Sequence, residues 1–143
     1  MQQLPIGLSE AWDFFSSPKN LAKITPDHMG FRITSEEAEE MYAGQIISYK
    51  VAALPGIKVN WVTEITHVED QQFFVDEQRF GPYSMWHHEH HFEEKDGGVF
   101  MTDKVSYKIP FGILGHIAHG LFVKSQLKSI FEYRQKALIE LFG

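Results

Sequence analysis

Four of the eight histidines fall within seven residues, Trp86-His87-His88-Glu89-His90-His91-Phe92. Imidazoles at this density can ligate a transition metal, move protons, or anchor the polar end of a bound molecule. Which of these applies depends on the local backbone. In a strand, alternate side chains take opposite faces. Trp86, His88, His90 and Phe92 then share one face, and His87, Glu89 and His91 share the other. Either the first set lines an interior carrying polar anchors, or the second set is simply wet.

The following residues choose between the faces. Asp96-Gly97 favours the positive φ angles of a two-residue type I′ hairpin. With that loop, Lys95 pairs with Gly98, Phe92 faces Met101, His90 faces Asp103, His88 faces Val105 and Trp86 faces Tyr107. On the return strand Val99, Met101, Val105, Tyr107 and Ile109 are apolar, whereas Thr102, Lys104, Ser106 and Lys108 are polar. Asp103 thus sits on the apolar face, where an unpaired carboxylate is costly, and His90 is its expected partner. A slip of one residue would move every side chain to the other face.

Four roles are open to this pair. It can lock strand registration, anchor a ligand in an apolar cavity, act as general acid and base with His88 nearby, or join His88, His90 and Asp103 as a two-histidine, one-carboxylate metal set. No second histidine motif supports the last, so no metal and no cofactor is expected. The expected ligand-facing wall is Trp86, His88, His90, Phe92, Asp103 and Tyr107, with Trp61 from another strand. If the chain is an enzyme, His90, Asp103 and His88 are the catalytic candidates.

Other chemistries lack their residues. There is no cysteine, hence no thiol nucleophile, disulfide or thiolate metal site. No Gly-x-Ser-x-Gly elbow or Gly-rich phosphate loop occurs. The formal charge is −6, without a Lys/Arg cluster, which argues against nucleic acid or an anionic membrane surface as partner. Glu36-Glu37-Ala38-Glu39-Glu40 reads as a solvated loop or short helix. No apolar run approaches the ~18 residues of a membrane span, and Met1-Gln2-Gln3-Leu4-Pro5 does not open a signal peptide. A cytoplasmic location is expected.

The 143 residues suit one domain spanning 1–143, and 14% aromatic content supplies a large core, an aromatic-lined pocket, or both. Ser9 to Ser16 is an expected helix with Ser9 as N-cap. Ser17-Pro18 opens a second short helix through Ile24, closed by Thr25-Pro26. Strands are expected over Phe31 to Thr34, Gln45 to Leu54, Ile57 to Val68, Gln72 to Arg79, Tyr83 to Glu94 and Val99 to Ile109, with a Pro55-Gly56 turn and a Gly81-Pro82 break between them. In the third, Ile57, Val59, Trp61, Thr63, Ile65 and His67 share one side. After Pro110 the period becomes helical: Leu114, Ile117, Leu121, Leu127, Ile130 or Phe131, Arg134, Leu138 and Leu141 form a stripe on a helix of ~40 Å. Gly115 and Gly120 should weaken its start. A curved antiparallel sheet of five or six strands can wrap this helix and leave a cavity between the two, giving an α+β fold.

The opening Leu4-Pro5 through Trp12-Asp13-Phe14-Phe15-Ser16, then Pro18, Asn20-Leu21 and Ile24-Thr25-Pro26, resembles the SRPBCC (START-like, helix-grip) superfamily. Trp86-x-His88-x-His90-x-Phe92, Gly97-Gly98 and Thr102-Asp103-x-Val105-x-Tyr107-x-Ile109-Pro110-x-Gly112 resemble its bacterial ligand-binding, polyketide cyclase-like members. The resemblance covers nearly the whole chain and implies a helix-grip fold. It does not single out a function, since relatives include lipid carriers, polyketide cyclases and aromatases, hydroxylase subunits and hormone receptors. The superfamily normally begins with a full strand. Here only Met1 to Ile6 precedes the first helix, so that strand is short or absent. A strand left bare beside it invites a second chain, and a homodimer is among the expectations.

Binding of a small hydrophobic or amphipathic molecule is therefore the preferred expectation, and a cyclase or dehydratase working through a His–Asp pair is the alternative. Trp12, Phe14 and Phe15 are read mainly as core. His116 and His119 are read as exposed, Phe111 as a lid candidate, and Arg134 as an inward residue that snorkels or pairs with an acid.

Overall fold

The computed structural model describes residues 2–26, 29–35, 41–54, 57–108 and 113–143, with side chains described throughout these except at 53, 54, 57 and 113–123. Among the described residues, seven strands form one antiparallel sheet in the order β1-β7-β6-β5-β4-β3-β2. They are β1 (Gln2–Leu4), β2 (Arg32–Ile33), β3 (Ile46–Leu54), β4 (Ile57–Glu69), β5 (Phe73–Phe80), β6 (Met85–Lys95) and β7 (Gly98–Lys108). Two short helices, α1 (Leu8–Phe15) and α2 (Pro18–Leu21) with a 3₁₀ turn Ala22–Ile24, follow β1, and α3 (Ile113–Phe142) closes the chain. This is the helix-grip architecture. The sheet has seven strands rather than five or six because two very short ones, β1 and β2, complete its edges. β1 covers only Val99 to Met101 of β7.

The β6–β7 hairpin has the expected register at every position, from Lys95↔Gly98 through His90↔Asp103 to Trp86↔Tyr107. Asp96 (φ 54°) and Gly97 (φ 78°) both adopt the left-handed backbone that a type I′ loop needs. Parity along β4 is less simple. Its pairing with β5 shifts between Ile65 and His67. The extra residue turns the strand over, so Ile65 is buried while His67 is exposed and Val68 packs on the core.

The N-terminal helices differ from expectation in their caps. α1 starts at Leu8, with Gly7 as N-cap, and Ser9 lies inside the first turn. Its hydroxyl instead accepts a hydrogen bond from the Gln71 amide at 3.2 Å. Ser17 does precede Pro18 at the start of α2, but makes no side-chain cap. On α3, Leu138 is fully buried, whereas Leu141 is half exposed. Phe142 takes the inward place, four residues on from Leu138, and packs edge-on against Phe14 at 5.1 Å. The acidic run at 36–40, the Pro55-Gly56 turn and Phe111 lie outside the described residues, as do the side chains of His116 and His119.

α1 fills one end of the space between sheet and α3. Trp12 meets Phe74 at 5.9 Å and Phe92 at 5.4 Å, both edge-on. Leu4, Ala11, Ile24, Val99, Met101 and Leu138 close this core. Beyond it the sheet and α3 diverge without a layer between them.

Candidate functional site

That diverging region is a cavity of about 490 Å³. β3 and β4 supply Tyr49, Val51, Val59, Trp61, Thr63 and Ile65, and α3 supplies Leu127, Ile130, Phe131 and Arg134. Asp76, Tyr83, Trp86, His88 and His90 come from β5, β6 and the segment between them, while Phe14, Phe15 and Leu21 border it from the N-terminal helices. The volume lies within the ~300–1,000 Å³ common to small-molecule sites.

Aromatic rings line much of one wall. Trp61 lies edge-on to Trp86 at 5.4 Å and near-parallel to Tyr49 at 5.9 Å, and Tyr83 bridges Trp61 and Trp86 at 5.6 and 5.0 Å. These contacts hold the rings upright on the sheet. The Trp61 Nε1–H donates to the Thr63 hydroxyl at 2.9 Å, and Thr63 and Tyr49 share a hydroxyl contact of 3.2 Å. Burial, and then the charge of Asp76, push the Tyr49 phenol well above its ordinary pKa; burial, and then Tyr107, push Tyr83 up to about 12. Both remain neutral hydroxyls.

The polar part of the wall is a compact set of two imidazoles and two carboxylates. His88 Nε2 lies 2.9 Å from Asp103 Oδ1, and His90 Nε2 lies 2.6 Å from Asp76 Oδ2. Two longer approaches close the set, His88 Nδ1 to Asp76 Oδ2 at 3.8 Å and His90 Nδ1 to Asp103 Oδ1 at 3.5 Å. The imidazoles stack at 3.7 Å, and the Phe74 ring continues the stack 4.0 Å beyond His90.

The expected His90–Asp103 pair is therefore corrected. The two residues are opposite in register, but the close partner of Asp103 is His88, and that of His90 is Asp76. In both cases the bonded residue is diagonal to the register partner, since Asp76 faces His88 and Val105 faces His88 from the other side. Sheet twist and the lean of side chains along a strand bring such diagonal neighbours within reach.

Asp76 is the residue the sequence reading missed. Its parity with Phe74 was the available signal, because an acid two positions from an inward aromatic faces the same interior. The other expected residues divide among three places. Trp61, Trp86, His88 and His90 line the cavity. Phe92 lies in the packed core. Asp103 and Tyr107 line a separate groove of about 370 Å³ between β7 and α3, which shares Leu127, Phe131 and Arg134 with the main cavity. His87, Glu89 and His91 lie on the outer face, where His87 approaches Glu77 at 3.3 Å and His91 approaches Glu89 at 3.0 Å.

Burial opposes charge on His90, Asp76 and Asp103. It lowers His90 to about 4, with His88 adding to the effect and Asp76 and Asp103 opposing it. Burial alone would raise both carboxyls. The histidine hydrogen bonds, the Arg134 guanidinium and the imidazole charges outweigh it and hold Asp76 and Asp103 below the usual carboxylate range. Arg134 itself lies with its guanidinium 5.0 Å over the Phe131 ring, and its Nε is buried without a hydrogen-bond partner among the described residues.

Several solved structures share this architecture. The domain superposes on part of a nucleoside-diphosphate sugar epimerase from Corynebacterium glutamicum, with a TM-score of 0.67 and 23% identity over 97% of this chain. It spans only 27% of that longer protein. A protein from Mycobacterium smegmatis matches with a TM-score of 0.67 and 17% identity, covering 98% of this chain and 88% of its own. Ara h 8.0201 matches with a TM-score of 0.62 and 15% identity, covering 97% and 94%. At these identities the likeness is one of fold. No curated protein matches the sequence, and no helix among the described residues is long and apolar enough to cross a membrane. Residues 4–132 match the model of the family described as polyketide cyclase / dehydrase and lipid transport, so the chain belongs to that family.

Proposed function

We propose that the protein binds a small amphipathic molecule between the sheet and α3, with its apolar body against Trp61, Trp86 and Ile130 and an oxygen acceptor at Arg134. The cavity carries this reading. A volume of about 490 Å³ lined mainly by aromatic and aliphatic side chains would otherwise leave apolar surface uncovered inside the fold. The buried Arg134 Nε–H, without a partner among the described residues, is the donor such a ligand would satisfy.

Binding is favoured over acid–base turnover by the state of the histidines. Each ring is already hydrogen-bonded to a carboxylate of the wall through Nε2, His88 to Asp103 at 2.9 Å and His90 to Asp76 at 2.6 Å.

The test is a panel of fatty acids and aromatic carboxylic acids titrated against tryptophan emission, since two of the three tryptophans line the cavity. At least one member should bind at a single site, and Ile130→Trp, which fills the cavity, should abolish that binding while the protein stays folded. Arg134→Gln should weaken acids more than the matching alcohols. Unchanged binding in Ile130→Trp would place the ligand elsewhere.

A further inference from the structure

We propose that Asp76, His88 and His90 form a divalent transition-metal site in the cavity wall, with Asp103 as the outer partner that orients its histidines. The three inner residues come from adjacent strands and place one carboxylate oxygen and two imidazole nitrogens within 4.8 Å of one another. Asp76 Oδ2 lies 2.6 Å from His90 Nε2 and 3.8 Å from His88 Nδ1. A four-coordinate ion with bonds near ~2.1 Å needs ligand-to-ligand separations of roughly 3.4 Å, and these two values bracket it.

Hydrogen bonding within the set supplies a second geometric argument. Each ring makes one hydrogen bond to a carboxylate through Nε2, while the Nδ1 atoms of His88 and His90 stand 3.8 and 3.5 Å from Asp76 and Asp103 without a second one. With the Nε2–H of His88 donated to Asp103, its Nδ1 lone pair is the one that faces Asp76. A single divalent ion would join that lone pair to the Asp76 oxygen and His90 Nε2. The 2.9 Å bond from His88 Nε2–H to Asp103 then becomes the carboxylate–histidine–metal arrangement that fixes a ligand tautomer.

Charge agrees. The set brings together two carboxylates, Asp76 and Asp103, beside one guanidinium, Arg134, so an added dication is attracted rather than repelled. Nitrogen and oxygen donors without thiolate suit Zn²⁺, Co²⁺ or Fe²⁺ over Ca²⁺ or Cu⁺. Asp76, His88 and His90 all border the cavity, so the ion's remaining position would open toward whatever occupies it. That last clause rests on the binding reading above; the metal site does not.

The experiment uses chelator-treated, ligand-free protein titrated with Zn²⁺ by calorimetry and with Co²⁺ by visible absorption, so its outcome is independent of whether an organic ligand binds. One equivalent should bind. Asp76→Asn and His90→Gln should each abolish that equivalent, and Asp103→Asn, which keeps all three ligands, should weaken it by ~10–100-fold. The outer-face pair change His87→Gln with His91→Gln should leave it intact. Circular dichroism of each variant separates lost binding from lost folding. Full stoichiometry in folded Asp76→Asn, retained affinity in Asp103→Asn, or loss of binding in the outer-face variant would each overturn the site.

Discussion

β5, β6 and α3 each run through two unlike regions. At one end Phe92 and Leu138 share a closed core with Trp12 of α1, and Phe74 packs on Trp12 at its boundary with the cavity. A few residues along the same elements, Asp76, Trp86, His88 and Ile130 border the cavity. Both ends are rich in aromatic rings and both have the sheet below and α3 above. What differs is the third partner. α1 contributes Trp12 and Ala11 as a wedge at the packed end, closed by Ile24 of the 3₁₀ turn, whereas at the other end Phe14, Phe15 and Leu21 only border the space. The comparison separates aromatic residues that stabilise from aromatic residues that hold space open.

The largest test of that distinction compares two tryptophans. Trp12→Ala should cost ~3–5 kcal/mol by denaturant unfolding, since it removes the ring that joins Phe74 and Phe92 in a closed core. Trp61→Ala should cost less than about 2 kcal/mol, because its ring already borders open space and its removal enlarges a cavity rather than creating one. Equal losses at the two positions would remove the basis for treating the ends differently.

The sequence made the packed end and the hairpin readable for local reasons. Asp96-Gly97 accepts only a narrow set of turns, and that turn fixes the partner of every residue from Trp86 to Lys95. The Leu127, Ile130 and Leu138 spacing likewise requires an inward helical stripe. The polar site was less readable because it depends on geometry outside one hairpin. Asp76 lies on a third strand, and its bond to His90 is diagonal, so opposition within β6 and β7 pointed to the wrong partner. The shift between Ile65 and His67 similarly reverses a face without any glycine or proline to announce it. Phe92 shares parity with His88 but reaches the core, because parity chooses a face and not the end of the face.

A second comparison adds volume instead of removing it. Ala11 is fully buried where α1 meets the core, so Ala11→Leu should cost ~1–3 kcal/mol through overpacking. Ile130→Trp adds more atoms but places them in the cavity, and its unfolding midpoint should match or exceed the parent's. If both changes destabilise alike, the cavity wall is as tightly constrained as the core.

The finest comparison contrasts two neighbouring histidines. His88 is 4% exposed and bonded to Asp103 at 2.9 Å, so His88→Gln should cost ~1–3 kcal/mol by leaving a partly buried carboxylate without its donor. His87, one residue away, points to the outer face and approaches Glu77 at 3.3 Å and Glu89 at 3.5 Å. Such half-exposed pairs gain little over solvated charges and are screened by salt. His87→Gln should therefore shift stability by no more than ~0.5 kcal/mol and leave ligand titrations superimposable on the parent's. A larger effect at His87 than at His88 would mean that the outer face, not the cavity wall, is where this strand's histidines act.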